Sequence, residues 1–169
     1  MTTSSEYTKQ EVFQSVKLFL DMEGFEIDKS DFDRPWGGFF VISENQAGSF
    51  IKRFFSQLDL SDFQGFEKLS PKILVVTPNQ RLSWQYHHRR SEIWTVIAGN
   101  AAVVRSQTDE ENAQEDLPLN TTINLNQGER HRLVGTVEYG IIAEIWMHTD
   151  KKNPSDEDDI VRVQDDFGR

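Results

Sequence analysis

The chain of 169 residues contains no cysteine. The sequence therefore excludes disulfides, thiolate metal sites and cysteine nucleophiles, so any metal ion must be held by nitrogen and oxygen ligands. No apolar run approaches the roughly 20 residues needed to cross a bilayer. The polar N-terminus also lacks the basic and apolar regions of a signal peptide. We therefore expect a cytoplasmic protein with no membrane partner.

Positive charge is scarce, because 18 lysines and arginines face 28 aspartates and glutamates and the formal net charge is -10. An acidic surface is repelled by phosphate backbones, so we expect no nucleic-acid partner. A small anion is still allowed, since a few clustered arginines can bind one phosphate whatever the net charge. With 37% hydrophobic residues, the composition is that of a globular chain rather than a disordered one.

The first 30 residues predict a helical appendage. Residues 6–23 predict a helix with one apolar stripe, which begins after Ser4 or Ser5 as the cap and ends at Gly24. We expect the stripe to pack on the outside of the remaining structure. The residues of the stripe are Val12, Val16, Phe19 and Leu20.

Residues 31–169 change to short runs rich in Val, Ile, Phe and Trp, separated by turn signals. Many short strands at this spacing predict an all-β sandwich or barrel. Two segments without periodicity, Asp109–Pro118 and Lys151–Asp159, are predicted loops. The predicted strands are Phe39–Ser43, Phe50–Phe55, Lys72–Thr77, Leu82–His87, Ile93–Ala98, Ala101–Ser106, Thr121–Asn126 and Ile141–His148.

A set of nitrogen and oxygen donors lies at the centre of this β-rich region. Gln85 and His87 share one strand face, because alternate residues of a strand point the same way, and His88 should face away. Glu92 follows a bend, and His131 follows a glycine-containing turn and can come from a separate strand. These four side chains predict a site for one divalent ion: zinc is the first candidate, with manganese, cobalt, nickel or iron as alternatives.

The spacing of these donors resembles the two motifs of the cupin superfamily, with Gln in place of the first motif histidine. The resemblance implies a double-stranded β-helix, or jelly-roll barrel, behind an N-terminal helix. The matching strings are Gln85-x-His87-x4-Glu92-x6-Gly99 and Asn126-x-Gly128-x2-His131-x3-Gly135.

Residues 34–169 resemble a narrower family, the type II mannose-6-phosphate isomerase domain, which often forms the C-terminal part of a bifunctional mannose-1-phosphate guanylyltransferase. Arg89 and Ile93 depart from the family, which has histidine at both positions. No glycine-rich nucleotide signature is present, so guanylyl transfer is not expected. The matching blocks are Arg34–Gly37, Leu82–Trp94, Gly128–Leu133, Glu157–Arg162 and Asp165–Arg169.

The resemblance implies aldose–ketose isomerisation of a phosphorylated sugar in nucleotide-sugar or polysaccharide synthesis. A base would move a proton from C2 to C1 through a cis-enediol, while the ion acts as a Lewis acid. Glu144 and Lys72 are the candidate bases, although Glu144 could equally be a solvated or ion-paired carboxylate. The cations considered for the phosphate are Arg34, Lys72, Arg89, Arg90, Arg132 and Arg162, of which we predict Arg34, Arg89, Arg132 and Arg162 as substrate-binding residues.

Two alternative functions stay open at this stage, since cupin barrels host many activities. One is a non-catalytic cupin that binds a sugar or sugar phosphate, and the other is a cupin with a different metal-dependent reaction. The altered positions Arg89 and Ile93 favour a shifted substrate or a binding role. Apolar strand edges and the habit of many cupins suggest a homodimer.

Overall fold

The computed structural model describes residues 1–168, so the last residue of the predicted barrel domain, 169, lies outside the described residues. Within residues 1–168, two helices and eleven strands carry the fold. The helices are α1 (Lys9–Met22) and α2 (Ala47–Phe54), and single 3₁₀ turns cover Glu44–Gln46, Leu60–Phe63 and Glu157–Asp159. The strands are β1 (Ile27–Arg34), β2 (Gly37–Ile42), β3 (Lys72–Val76), β4 (Trp84–His87), β5 (Arg90–Ala98), β6 (Ala101–Ser106), β7 (Glu115–Leu117), β8 (Thr122–Leu125), β9 (Arg130–Gly135), β10 (Gly140–His148) and β11 (Ile160–Gln164).

The strands form two antiparallel sheets that face each other. The larger sheet has the order β1-β2-β3-β10-β5-β8, and the smaller has the order β11-β4-β9-β6-β7. Apolar residues from both sheets meet between them, including Leu74, Val96, Val103, Leu133 and Ile142. The predicted all-β class with an N-terminal helix is therefore confirmed.

A second apolar cluster lies on the outer face of the larger sheet, where both helices pack. Because successive strand residues point to opposite faces, Ile141 and Ala143 of β10 belong to this outer cluster, whereas Ile142 faces the space between the sheets. The same alternation turns Glu144 inward, and this strand therefore separates the helical layer from the barrel interior.

Helix α1 begins at a capping box rather than at Ser4 or Ser5. The Thr8 hydroxyl accepts from the Glu11 backbone N–H, and the Glu11 carboxylate accepts from the Thr8 backbone N–H. This reciprocal pair satisfies two of the free N–H groups of the first turn. Gly24, at φ 79°, ends the helical region as predicted. The predicted boundary at residues 30 and 31 lies within β1.

The predicted strand Phe50–Phe55 is wrong, because most of it belongs to α2. Its buried residues, Ala47, Phe50, Ile51 and Phe54, recur at helical spacings of three and four. The aromatic and β-branched composition concealed that period. Four strands are also absent from the predicted set: polar β1, short β7 inside the predicted loop Asp109–Pro118, β9, which carries His131, and β11.

Among the residues that the structure describes, no helix has both the length and the apolar character that a membrane span requires.

Gly38 of β2 lies where α1 approaches the sheet most closely, and we predict that Gly38→Ala lowers stability. A Cβ there would clash with the Asp31 carbonyl oxygen and lie 2.7 Å from the Phe13 ring. We expect a loss of about 1–3 kcal/mol in the free energy of unfolding, measured with urea. The matched control is Gly48→Ala in α2, where a Cβ meets nothing within 4 Å. That variant should gain about 0.5–1 kcal/mol, and equal effects of the two changes would contradict the packing argument.

Candidate metal centre

Three buried side chains from three strands converge at one end of the barrel interior. His87 lies on β4, Glu92 on β5 and His131 on β9. The Nε2 atom of His87 lies 3.2 Å from Glu92 Oε1, and that of His131 lies 3.5 Å from Glu92 Oε2. One donor atom from each residue fits within 4.8 Å of the others, a spacing that one ion can bridge.

The hydrogen bonds of the two imidazoles leave a lone pair on each Nε2. His131 Nδ1 lies 2.9 Å from the Glu129 carbonyl oxygen, which can only accept, so Nδ1 carries the proton. His131 Nε2 is buried and has no hydrogen-bond partner among the described residues. A backbone carbonyl on the far nitrogen is the usual support of a metal-binding histidine. This orphaned nitrogen is the observation that best fits a bound ion.

His87 is held in the neutral form that a ligand requires. Burial lowers the pKa of His87 to about 4, against the opposing effect of the Glu92 carboxylate. The imidazole is therefore uncharged at neutral pH, with no proton on one of its two nitrogens. Its Nε2 lies 3.1 Å from Arg90 Nη2, which can only donate, so the lone pair is on Nε2.

Gln85 supplies the fourth predicted donor. Its Cα is paired directly with that of His131 across β4 and β9, so the two side chains leave the sheet on the same face. The amide oxygen accepts from the Ser83 hydroxyl at 2.6 Å, and the half-buried side chain lines the same cavity as Glu92. Two imidazole nitrogens, a carboxylate and an amide oxygen suit a divalent ion such as zinc.

Arg90 reaches the centre of this donor set. Its Nε donates to Glu92 Oε1 at 2.7 Å, and its guanidinium carbon lies 3.4 Å from the centroid of the Trp146 ring. Burial would raise the pKa of Glu92, but the charge of Arg90 and the neighbouring His87 and His131 side chains outweigh burial and hold that pKa well below 4.5. From the sequence, Arg90 is predicted only as one of the cations available to a phosphate. Strand alternation, which puts residues 90 and 92 of one strand on one face, could have located it.

Beyond the donor set, the cavity contains the two candidate bases. Glu144 of β10 is paired with Lys72 of β3 on one side and with Trp94 of β5 on the other. The Trp94 indole N–H lies 3.1 Å from Glu92 Oε2 and 3.0 Å from Glu144 Oε1, so it joins a metal-ligand candidate to a candidate base. Glu144 and Lys72 both line the cavity.

Burial acts in opposite directions on these two groups. Burial and the nearby Glu92 carboxylate raise the pKa of Glu144 to about 8. Burial lowers the pKa of Lys72, and the carboxylates of Glu144 and Glu157 oppose that change. The Lys72 ammonium lies 3.2 Å from the centroid of the Trp146 ring and 3.7 Å from Glu157 Oε1. A carboxyl that titrates near neutral pH is suited to proton transfer.

The four predicted phosphate-binding arginines separate into two pairs. Arg34 and Arg162 line the cavity, whereas Arg89 and Arg132 do not. Arg89 instead contacts Asp156 and Asp159 in the segment before β11.

Arg132 is fully buried on the opposite strand face from His131, as alternation requires. Its guanidinium donates to the Leu82 carbonyl oxygen and to Glu111. The structure thus gives Arg89 and Arg132 contacts that hold loops rather than positions in the cavity.

Comparison with known proteins decides the family. The sequence model of the family described as "Mannose-6-phosphate isomerase C-terminal" matches residues 62–165. The chain belongs to this family. The matched range contains β3 to β11 and all four metal-ligand candidates, and the predicted resemblance is confirmed.

Two curated relatives support the assignment to the mannose-6-phosphate isomerase C-terminal family. The chain is 29% identical over 139 residues to the xanthan biosynthesis protein XanB of Xanthomonas campestris, covering 80% of this chain and 23% of the relative. It is 34% identical over 103 residues to the mannose-1-phosphate guanylyltransferase ManC of Salmonella typhimurium, covering 61% of this chain and 20% of the relative. The chain thus spans a quarter or less of these relatives' lengths.

A solved structure shares the fold without sequence similarity. The capsular polysaccharide assembling protein CapF of Staphylococcus aureus overlays with a TM-score of 0.55 at 9% identity, covering 83% of this chain and 34% of that one. Such a likeness shows the fold alone. The predicted all-β barrel is confirmed for this member of the isomerase C-terminal family.

We predict that Glu144→Gln changes the pH dependence of stability. Because the folded pKa of about 8 lies above the ordinary 4.5, the folded state binds this proton more tightly. The stabilisation is complete below about pH 4.5 and is lost as pH rises through 8, with a slope of at most about 1.4 kcal/mol per pH unit. Gln cannot ionise, so the variant does not lose this stabilisation. Urea unfolding in the presence of chelator at pH 5, 7 and 9 should show that the free energy of unfolding of the variant increases relative to that of the wild type as pH rises. Glu110→Gln, at an exposed residue, is the control, and parallel curves for wild type and Glu144→Gln would contradict the assignment.

Proposed function

We propose that the chain is a metal-dependent sugar-phosphate isomerase that interconverts mannose 6-phosphate and fructose 6-phosphate. The observation that carries this proposal is a cavity lined by both Glu92, a member of the metal-ligand set, and Glu144, a carboxyl of raised pKa. The Trp94 N–H joins Glu92 to Glu144 within that cavity. An isomerase needs both parts, because a proton must move while negative charge on the sugar oxygens is stabilised.

The ion would be held by His87, Glu92 and His131, with Gln85 as a fourth ligand. When bound, a divalent ion supplies a positive charge that stabilises negative charge on the substrate oxygens. Zinc is our first choice for this nitrogen and oxygen set, and manganese, cobalt, nickel and iron are the alternatives.

Glu144 is the better of the two candidate bases. A pKa of about 8 leaves roughly a tenth of this carboxyl ionised at pH 7, and that fraction can take a proton from C2 of the open-chain aldose. The protonated carboxyl then returns this proton to C1 while the hydroxyl proton on the C2 oxygen passes to the C1 oxygen, so the cis-enediol collapses to the ketose with no net change in the enzyme. Lys72, paired with Glu144 across β3 and β10, contributes positive charge beside the carboxylate.

The phosphate would be bound at the mouth of the cavity, where Arg34 and Arg162 line the wall. Arginine presents a planar fork of donors that matches phosphate oxygens. Arg162 of β11 is paired with Gln85 of β4, which places a cation one strand away from a metal-ligand candidate. A sugar phosphate could therefore reach from the arginines at the mouth to the ion inside.

The names of the relatives suggest the process. XanB is named as a xanthan biosynthesis protein, and ManC is named as a mannose-1-phosphate guanylyltransferase. We therefore place the proposed isomerase in nucleotide-sugar or polysaccharide synthesis.

The test is isomerase turnover on protein that has been stripped with chelator and reloaded with one divalent ion at a time. Turnover between the two hexose phosphates should require metal and should fall by about two orders of magnitude or more in His131→Ala. His88→Ala is the matched control, because this neighbouring histidine is exposed and contacts Tyr86 instead of the donor set. Its turnover should equal that of the wild type.

Stoichiometric metal binding without turnover on either hexose phosphate would refute the isomerase proposal. Tight binding of the sugar phosphate under those conditions would support the non-catalytic sugar-phosphate-binding alternative. A redox-active ion with oxygen consumption would support a different metal-dependent reaction.

A further inference from the structure

The Nε2 atom of His87 has one lone pair, and two groups compete for it. In the structure Arg90 Nη2 lies 3.1 Å away and donates to that nitrogen. A divalent ion held by the donor set would require the same lone pair, since the imidazole nitrogen has no other. The two contacts exclude each other, and the guanidinium and the ion also repel each other as cations.

Arg90 is attached to the rest of the site at three further points. Its Nε donates to Glu92 Oε1 at 2.7 Å, and its Nη1 lies 2.9 Å from the Ser155 hydroxyl and 3.3 Å from the Asp156 carbonyl oxygen. Guanidinium is planar and rigid, so Nη2 cannot leave His87 without moving Nη1 as well. A change at the donor set is thereby transmitted to residues 155 and 156.

The segment 155–159, which we name the anchor segment, is itself a small network. The Asp156 carboxylate accepts from the backbone N–H groups of Asp158 and Asp159. The Asp159 carboxylate accepts from the Ser155 hydroxyl and from the backbone N–H groups of His88 and Arg89. The anchor segment leads directly into β11 and contains Glu157, which lines the cavity.

We infer that Arg90 is an internal competitor of the metal ion: Arg90 and the ion compete for the His87 lone pair, and metal binding displaces Arg90 and loosens the anchor segment. The inference rests on the metal site of the proposed function. Arg90 then acts as a substitute cation that keeps Glu92 paired without metal. Metal binding is weaker than the donor set alone would allow, and the mobility of the anchor segment reports metal occupancy.

The test compares metal affinity in Arg90→Met and Arg89→Met with that of the wild type. Methionine has a similar length and no N–H donor, so Arg90→Met frees the His87 lone pair. Zinc affinity, measured by competition with a chromophoric chelator, should rise about ten- to a hundredfold. Arg89→Met removes an equal charge and also loosens the anchor segment, but Arg89 contacts neither His87 nor Glu92 in the structure. Its zinc affinity should rise far less than that of Arg90→Met, because Arg90 still occupies the His87 lone pair.

The outcomes separate the inference from the proposed function. Unchanged or weaker zinc binding in Arg90→Met, with zinc bound by the wild type, would overturn the competition while leaving the metal site intact. An equal gain in both variants would attribute the effect to charge and would also overturn it. A complete lack of zinc binding in all three proteins would refute the metal site and, with it, the competition.

Hydrogen exchange on the unmodified protein provides a second measurement in case Arg90→Met does not fold. Saturating zinc should speed exchange of the Asp158 and Asp159 amides, whose acceptor is Asp156. The amides of buried β3 should not change and are the internal control. Zinc-bound protein with unchanged or slower exchange in the anchor segment would overturn the displacement.

Discussion

The Glu92 carboxylate is the group on which the site depends, because a charge at 2% exposure must be compensated by partners. Arg90 and the Trp94 indole N–H donate to it, and the two imidazoles lie within 3.5 Å of it. Each of these groups is in turn fixed by something else: Arg90 by the anchor segment, His131 by the Glu129 carbonyl, and Trp94 by Glu144. One buried negative charge thus organises side chains from three strands and the loop before β11.

The alternation of side chains puts the candidate site residues and the apolar residues that contact the helices on opposite faces of the same strands. In β3 and β10, one face contributes Ile73, Val75, Ile141 and Ala143 to the cluster under the helices. On the opposite face, Leu74 and Ile142 belong to the apolar interior, whereas Lys72 and Glu144 line the polar cavity. The helical layer therefore seals the outer face of the sheet that carries the candidate base.

Much of the site could be predicted from local pattern. Alternation in β4 puts Gln85 and His87 on one face, and motif spacing brings in Glu92 and His131, so the donor set needed no knowledge of the fold beyond the barrel. The non-local partners could not be found this way. Arg132 is adjacent to His131 in sequence but faces Glu111, and Arg89 binds Asp156 and Asp159 some 70 residues later. The strand prediction for Phe50–Phe55 failed for a different reason. A short aromatic run is compatible with a strand or a helix until the spacing of its apolar residues is counted.

The position of β4 between β11 and β9 has a consequence for how the protein is made. The strand that carries Gln85 and His87 has neighbours that are synthesised about 45 and 75 residues after it, at residues 130–135 and 160–164. Such long sequence separations delay the pairing of a strand, because the loop must close before its contacts form. On a ribosome, the nascent chain can form the pairing of β1 with β2 early, but the ligand strand waits for segments not yet translated. The candidate metal centre is therefore among the last parts of the domain to be assembled.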